Sequence, residues 1–110
     1  MNDRFRFRVW NIENSRYARF NYLNLREYLT LPNRYIVEQC SGVKDQNGKL
    51  IYEGDIVRFY ALTYEVYFQE RNSAIKIWNE KKQIGHSLGY HEEFEVIGNI
   101  HENPELLDQK

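Results

Sequence analysis

The chain opens on a strict alternation. In Arg4-Phe5-Arg6-Phe7-Arg8-Val9-Trp10, side chains two apart share a face. A strand is predicted there, with Phe5, Phe7 and Val9 on one face and Arg4, Arg6, Arg8 and Trp10 on the other. Asn11 to Ser15 reads as a turn, and Arg16 to Tyr22 as a returning strand with Ala18, Phe20 and Tyr22 on one face. Leu23 to Pro32 fits either a helical turn or a loop, ended by Pro32 in both cases. Tyr35 to Cys40, rich in β-formers, is a further short strand.

The stretch Gly42 to Phe59, GVKDQNGKLIYEGDIVRF, holds two turns and two extended pieces. Lys44 to Gly48 is a tight turn in which Asn47-Gly48 supplies the positive φ. Lys49 to Tyr52 is extended, Glu53-Gly54-Asp55 turns again, and Ile56 to Tyr60 is a strand. Two successive apolar residues, Ile56 and Val57, predict burial on both faces at that strand's start. Gly42, Gly48, Gly54 and Gly98 are expected at turns or kinks where a Cβ would be costly. Asp45 and Asp55 are expected to accept backbone N–H groups there, and Ile51, Tyr52, Ile56, Val57 and Phe59 to supply core. The whole stretch is read as scaffolding.

Beyond it, Tyr64 to Phe68 and Ala74 to Trp78 should form a hairpin across Gln69 to Ser73. Gln83 to His91, with Gly85 and Gly89, reads as a loop, and Phe94 to Ile100 as the last strand. Asn103 as N-cap and Pro104 at the first position predict a closing helical turn. Short strands with turns about every ten residues indicate a mainly β fold. The expected architecture is one domain over residues 1–110: strongly curved antiparallel strands in a coiled sheet or partial barrel, with a short C-terminal helical turn.

Composition changes this picture in two respects. Aromatic residues reach 15% through nine Tyr, six Phe and two Trp, a density that suits half-buried sheet surface or an interface. The net charge of −1 is also unevenly placed. Residues 1–34 carry seven Arg against three acids, a balance of +4, and the remainder carries eight bases against thirteen acids, a balance of −5. Such a split can make an anion-binding face or complementary surfaces between copies of one chain. The candidate interaction face comprises Arg4, Arg6, Arg8, Trp10, Arg16, Tyr17 and Arg19. A homo-oligomer, docking that face on the acidic remainder, is preferred over nucleic acid, which phosphate contacts from the arginines and stacking on Trp10, Tyr17 and Tyr22 would serve.

Catalytic and metal chemistry find little purchase. His86, His91, Glu92 and Glu93 do not match a zinc spacing, and Cys40 is distant from them. Cys40 at a strand end suits a small buried hydrophobe, and Gly85 and Gly89 make no phosphate-cradling loop. No catalytic residue, metal or cofactor is predicted, so the chain is expected not to be an enzyme. A single cysteine, no membrane-length apolar run and no signal peptide at the amino terminus point to a cytoplasmic protein.

Three blocks, FRFRVWNIENSRY at Phe5–Tyr17, SGVKDQNGKLIYEGDIVRF at Ser41–Phe59 and FEVIGNIHENPELL at Phe94–Leu107, together resemble the YopX family of phage and prophage proteins. They cover under half the chain but stand in the family's order. The resemblance implies a mostly β fold of coiled sheets, a tendency to self-assemble, and a setting in a bacterial host or phage-infected cell. It implies no activity and carries over no catalytic residue.

Overall fold

Two antiparallel sheets account for the architecture of the computed structural model, which describes residues 6–72, 74–88 and 93–108. In chain order the strands are β1 (Phe7–Asn11), β2 (Arg16–Ala18), β3 (Tyr35–Lys44), β4 (Leu50–Tyr52), β5 (Asp55–Phe59), β6 (Leu62–Gln69), β7 (Ala74–Asn79), β8 (Ile84–Ser87) and β9 (Glu95–Asn99). The first sheet has the order β2-β1-β3-β4 and the second β8-β7-β6-β5-β9. Short helical pieces interrupt them: a 3-10 turn at Tyr22–Asn24, helix α1 at Leu25–Thr30, and 3-10 turns at Glu70–Asn72 and Pro104–Asp108. The fold is mainly β, with curled sheets and a helical turn near the C-terminal end.

The opening alternation does make a strand, but Arg4 and Phe5 lie outside the described residues. The returning strand is shorter than expected. It ends at Ala18 because Asn21 breaks it, its Oδ1 accepting the N–H of Leu23 at 3.0 Å and capping the 3-10 turn. Phe20 therefore leaves the sheet and packs on Phe7 and Tyr28, at centroid distances of 6.0 and 5.5 Å. Helix α1 buries Tyr28 against the same side, where Tyr28 meets Tyr35 edge-on at 5.1 Å. Val9 is buried on that face of β1.

The middle stretch stitches the sheets together. Strand β3 runs past Cys40, kinking at Gly42 with φ of 82° where its register to β4 shifts. The turn into β4 places its positive φ on Gly48, at 81°, and Asp45 ties it down. Asp45 Oδ1 accepts the N–H groups of Asn47 and Lys49 at 2.9 and 2.8 Å, and Oδ2 that of Val96 in β9 at 2.9 Å. At the second turn Gly54, with φ of 84°, donates to the carbonyl of Val66 and accepts from the N–H of Ile100, both at 2.8 Å. Asp55 Oδ2 accepts the N–H of Tyr52 at 2.8 Å. Both aspartates accept turn N–H groups as expected, and Asp45 also reaches across the fold to Val96.

The main core lies on the inner face of the second sheet, where Ile51, Val57, Tyr64, Val66, Ile77 and Phe94 are buried together. Ile56, on the opposite face of β5, is equally buried, as two adjacent apolar residues required. The β6–β7 hairpin has the expected pairing, Glu65 opposite Trp78 and Phe68 opposite Ile75. The expected loop from Gln83 instead contains β8, an edge strand of four exposed residues paired to β7 through the backbone. With every side chain exposed it carries no alternation to read, and Gly89 and His91 of that segment lie outside the described residues. Gly98 sits beside a register shift in β9, and a Cβ there would stand 2.6 Å from Asn103 Oδ1. Asn103 turns backward: its Oδ1 accepts the N–H of Asn99 at 3.2 Å rather than capping the helical turn ahead.

Candidate functional site

Cross-strand neighbours share a face, so the pairing of β1 with β3 sets what Arg8 and Trp10 meet. Arg8 stands opposite Glu38, and Trp10 opposite Ile36 and, on the other side, Tyr17. This face turns toward the second sheet. The Arg8 guanidinium donates from Nε to Glu38 Oε1 at 2.7 Å and from Nη2 to the carbonyl of Glu53 at 3.0 Å. Its Nη2 also lies 2.7 Å from Asp55 Oδ1. The rings of Tyr17 and Tyr52 lie 4.4 and 4.8 Å from its Cζ.

Glu38 is the hub. Its Oε1 accepts the Tyr17 hydroxyl at 2.8 Å and its Oε2 lies 2.8 Å from His101 Nε2, which follows β9 in the chain. A carboxylate only accepts, so Nε2 carries the hydrogen in that bond. The imidazole stacks on Trp10 at 4.6 Å and 10° between planes. Gly54 closes the top: a Cβ there would stand 2.1 Å from Glu38 Oε2.

Burial governs the electrostatics. Glu38 is 3% exposed and Asp55 2%, so neither carboxylate is open to a reagent from solvent. Burial alone would push the Arg8 pKa down, but the charges of Asp55 and Glu38 outweigh it and hold the guanidinium ionised. Burial raises the Asp55 carboxyl above its ordinary value, and the Arg8 charge offsets this only in part. Burial likewise pushes the Tyr17 phenol well up against the opposing Arg8 charge, with the Glu38 carboxylate adding to the rise, so Tyr17 stays a donor. Carboxylates, an imidazole and a phenol within hydrogen-bond reach are the materials of acid–base chemistry. Here each is taken up by another. Among the described residues no buried side-chain nitrogen or oxygen lacks a partner. The cluster joins β1 and β3 of the first sheet to β5 and the tail of the second.

This corrects the expected interaction face. Arg8, Trp10 and Tyr17 point into the seam between the sheets, because Glu38 and Asp55 draw the guanidinium inward and the aromatics pack around it. Arg16 and Arg19 are exposed, as is Arg6, while Arg4 lies outside the described residues. The expected face is thus divided between interior and surface. Glu38 and His101 were not anticipated. The available signal was Glu38 itself, a charge on the otherwise apolar face that Ile36 and Cys40 share in the strand Tyr35–Cys40. Cys40 is buried and free, as a small hydrophobe. Among the described residues no group of His, Cys, Asp or Glu side chains is arranged to hold a metal; His91 and Glu92 lie outside them.

A second surface emerges around α1. Its inner side is sealed by Tyr28, while Leu23 is 90% and Leu29 63% exposed. Beside it an open groove of about 510 Å³ runs between Ile12, Glu13, Thr30, Leu31, Pro32 and Arg34, with Arg34 3.5 Å from the Glu13 carboxylate. Arg16, Arg19 and Arg26 are exposed in this part of the chain.

The YopX protein family profile matches residues 21–108. The chain belongs to the YopX family. Its fold is similar to that of protein yopX from Bacillus subtilis, at 20% identity and a TM-score of 0.61 over 96% of this chain and 98% of that one. It is also similar to protein EF1440 from Enterococcus faecalis, at 22% identity and a TM-score of 0.54 over 92% and 96% of the two chains. At these identities the likeness speaks to the fold alone. Among curated proteins no relative matches in sequence. No helix among the described residues is long and apolar enough to cross a membrane.

Proposed function

We propose that this YopX-family chain is a non-enzymatic, self-associating interaction module that acts in the cytoplasm of a bacterium carrying a phage or prophage. Its contact surface is the outer side of α1 and the adjoining groove, seated against the acidic part of a second copy. The observation that carries the reading is the pair Leu23, in the 3-10 turn before α1, and Leu29, in α1 itself, both left in water while Tyr28 seals the helix's other side. Exposed apolar patches of this kind mark contact sites. A second copy is favoured by charge: residues 1–34 carry +4 and residues 35–110 carry −5. Docking one part on the other is head-to-tail, which closes into a ring or grows into a filament. Nucleic acid is the weaker reading, because Arg8 is neutralised by Glu38 and Asp55.

Sedimentation at micromolar concentration tests it. The wild type should run larger than a monomer, and Leu23→Ser/Leu29→Ser should run as a monomer with an unchanged melting midpoint. A wild type that stays monomeric at low and high salt overturns the reading.

A further inference from the structure

Beside Arg8 lies an open cleft of about 400 Å³ that the assembly surface does not use. Arg6, just before β1, and Arg8, within it, line one part; Lys44 at the end of β3, Gly48 and Lys49 in the turn that follows, and Tyr52 in β4 line the rest. Among the described residues four cationic side chains border it and no acidic one does. The charge of Arg8 is already matched by Glu38 and Asp55. The charges of Lys44 and Lys49 are not: among the described residues neither ammonium forms a salt bridge, although Lys49 lies close enough to Asp55 to favour its ionised form. The acid nearest to them in sequence, Asp45, has its two oxygens bonded to the N–H groups of Asn47, Lys49 and Val96.

The two lysines also stand on a prepared frame. The N–H of Asp45 donates to the Lys49 carbonyl at 2.8 Å and that of Gly48 to the Asp45 carbonyl at 3.0 Å, so the turn between Lys44 and Lys49 is closed by its own backbone. Fixing the frame beforehand reduces the ordering cost of binding. Cations lining an open cleft that an aromatic ring also borders suit phosphate oxygens with an organic group attached, and the cleft volume matches a small molecule.

We propose that this cleft binds the polyphosphate chain of a small phosphorylated ligand, of the class of nucleoside di- and triphosphates, with Lys44 and Lys49 as its direct phosphate contacts. Arg8, fixed by its carboxylates, and Arg6 border the same phosphates, and Tyr52 flanks the organic part. The site is separate from α1, so it stands or falls independently of self-association.

Calorimetric titration of the full chain with ATP, with sodium pyrophosphate and with a ten-residue oligothymidylate tests the proposal. ATP should saturate one site per chain and pyrophosphate should compete for it. Lys44→Ala/Lys49→Ala should weaken ATP binding at least tenfold, and the single variants Lys44→Gln and Lys49→Gln should each weaken it severalfold. Arg16→Ala/Arg26→Ala, which removes equal charge from the other part of the chain, should leave it unchanged. No saturable heat with ATP or pyrophosphate would overturn the proposal, as would ATP binding indifferent to both lysines. Saturation by the oligonucleotide without response to ATP would also overturn it, since that assigns the cations to a nucleic-acid strand.

Discussion

Gly54 rests on the carboxylate of Glu38 so closely that a methyl group on its Cα would stand 2.1 Å from Oε2. Its backbone at the same time takes φ of 84°, a region that side chains avoid. Gly48 shares the second property and lacks the first: its φ is 81° and nothing lies within 4 Å of a Cβ placed there. The pair therefore separates conformational strain from collision. Gly48→Ala should cost about 1 kcal/mol, the strain of the left-handed region alone. Gly54→Ala should cost at least about 3 kcal/mol, because displacing Glu38 also disturbs buried partners. Urea denaturation of both variants measures the difference; equal midpoints would mean that Glu38 yields freely.

Arg8 and Arg16 carry the same charge in unlike settings, one between two buried carboxylates and the other in solvent. Arg8→Met should destabilise the fold by about 3–5 kcal/mol, since Glu38 and Asp55 would lose the charge that compensates their burial. Arg16→Ala should stay within about 0.5 kcal/mol of wild type. Thermal or chemical unfolding of the two variants checks this, and a mild Arg8→Met would return Arg8 to the surface.

Glu65 offers a pH dependence of opposite sign to an ordinary ion pair. Burial raises its carboxyl above the usual 4.5, and nearby His101 opposes the rise only in part. A raised folded-state value means that its contribution to stability is complete below the unfolded value and is lost as pH rises through the folded one. Glu65→Gln should therefore be more stable than wild type at pH 7, with the difference shrinking toward pH 4. Melting midpoints across that range test it, and a variant less stable at pH 7 would refute the assignment.

Assembly through unlike charges should weaken with ionic strength, because screening acts on exposed groups. Arg16→Glu/Arg19→Glu should raise the dissociation constant of the oligomer and flatten its salt dependence. Sedimentation at two salt concentrations reads both quantities. An unaltered oligomer would assign the contact to apolar surface alone.

Much of the fold was legible in the chain. Asn47-Gly48 and Gly54 announced turns by stereochemistry, Ile56-Val57 announced a strand covered on both sides, and the β6–β7 pairing followed from two apolar runs and a polar link. Strand β8 and the early end of β2 were not legible. The first has no buried side chain, and the second turns on one hydrogen bond that Asn21 accepts from the N–H of Leu23.

The candidate site divides along a similar line. Alternation in β1 determined that Arg8 and Trp10 share a face, and their spacing could determine nothing further. Whether that face meets water, a partner or another sheet depends on residues far along the chain: Glu38 is 30 residues from Arg8, and His101 is 63 from Glu38. Local pattern records the direction of a side chain relative to its own backbone. Only tertiary packing brought Asp55, Glu38 and His101 to that face, and their charge and burial made an apparent arginine surface into the interior seam of the protein.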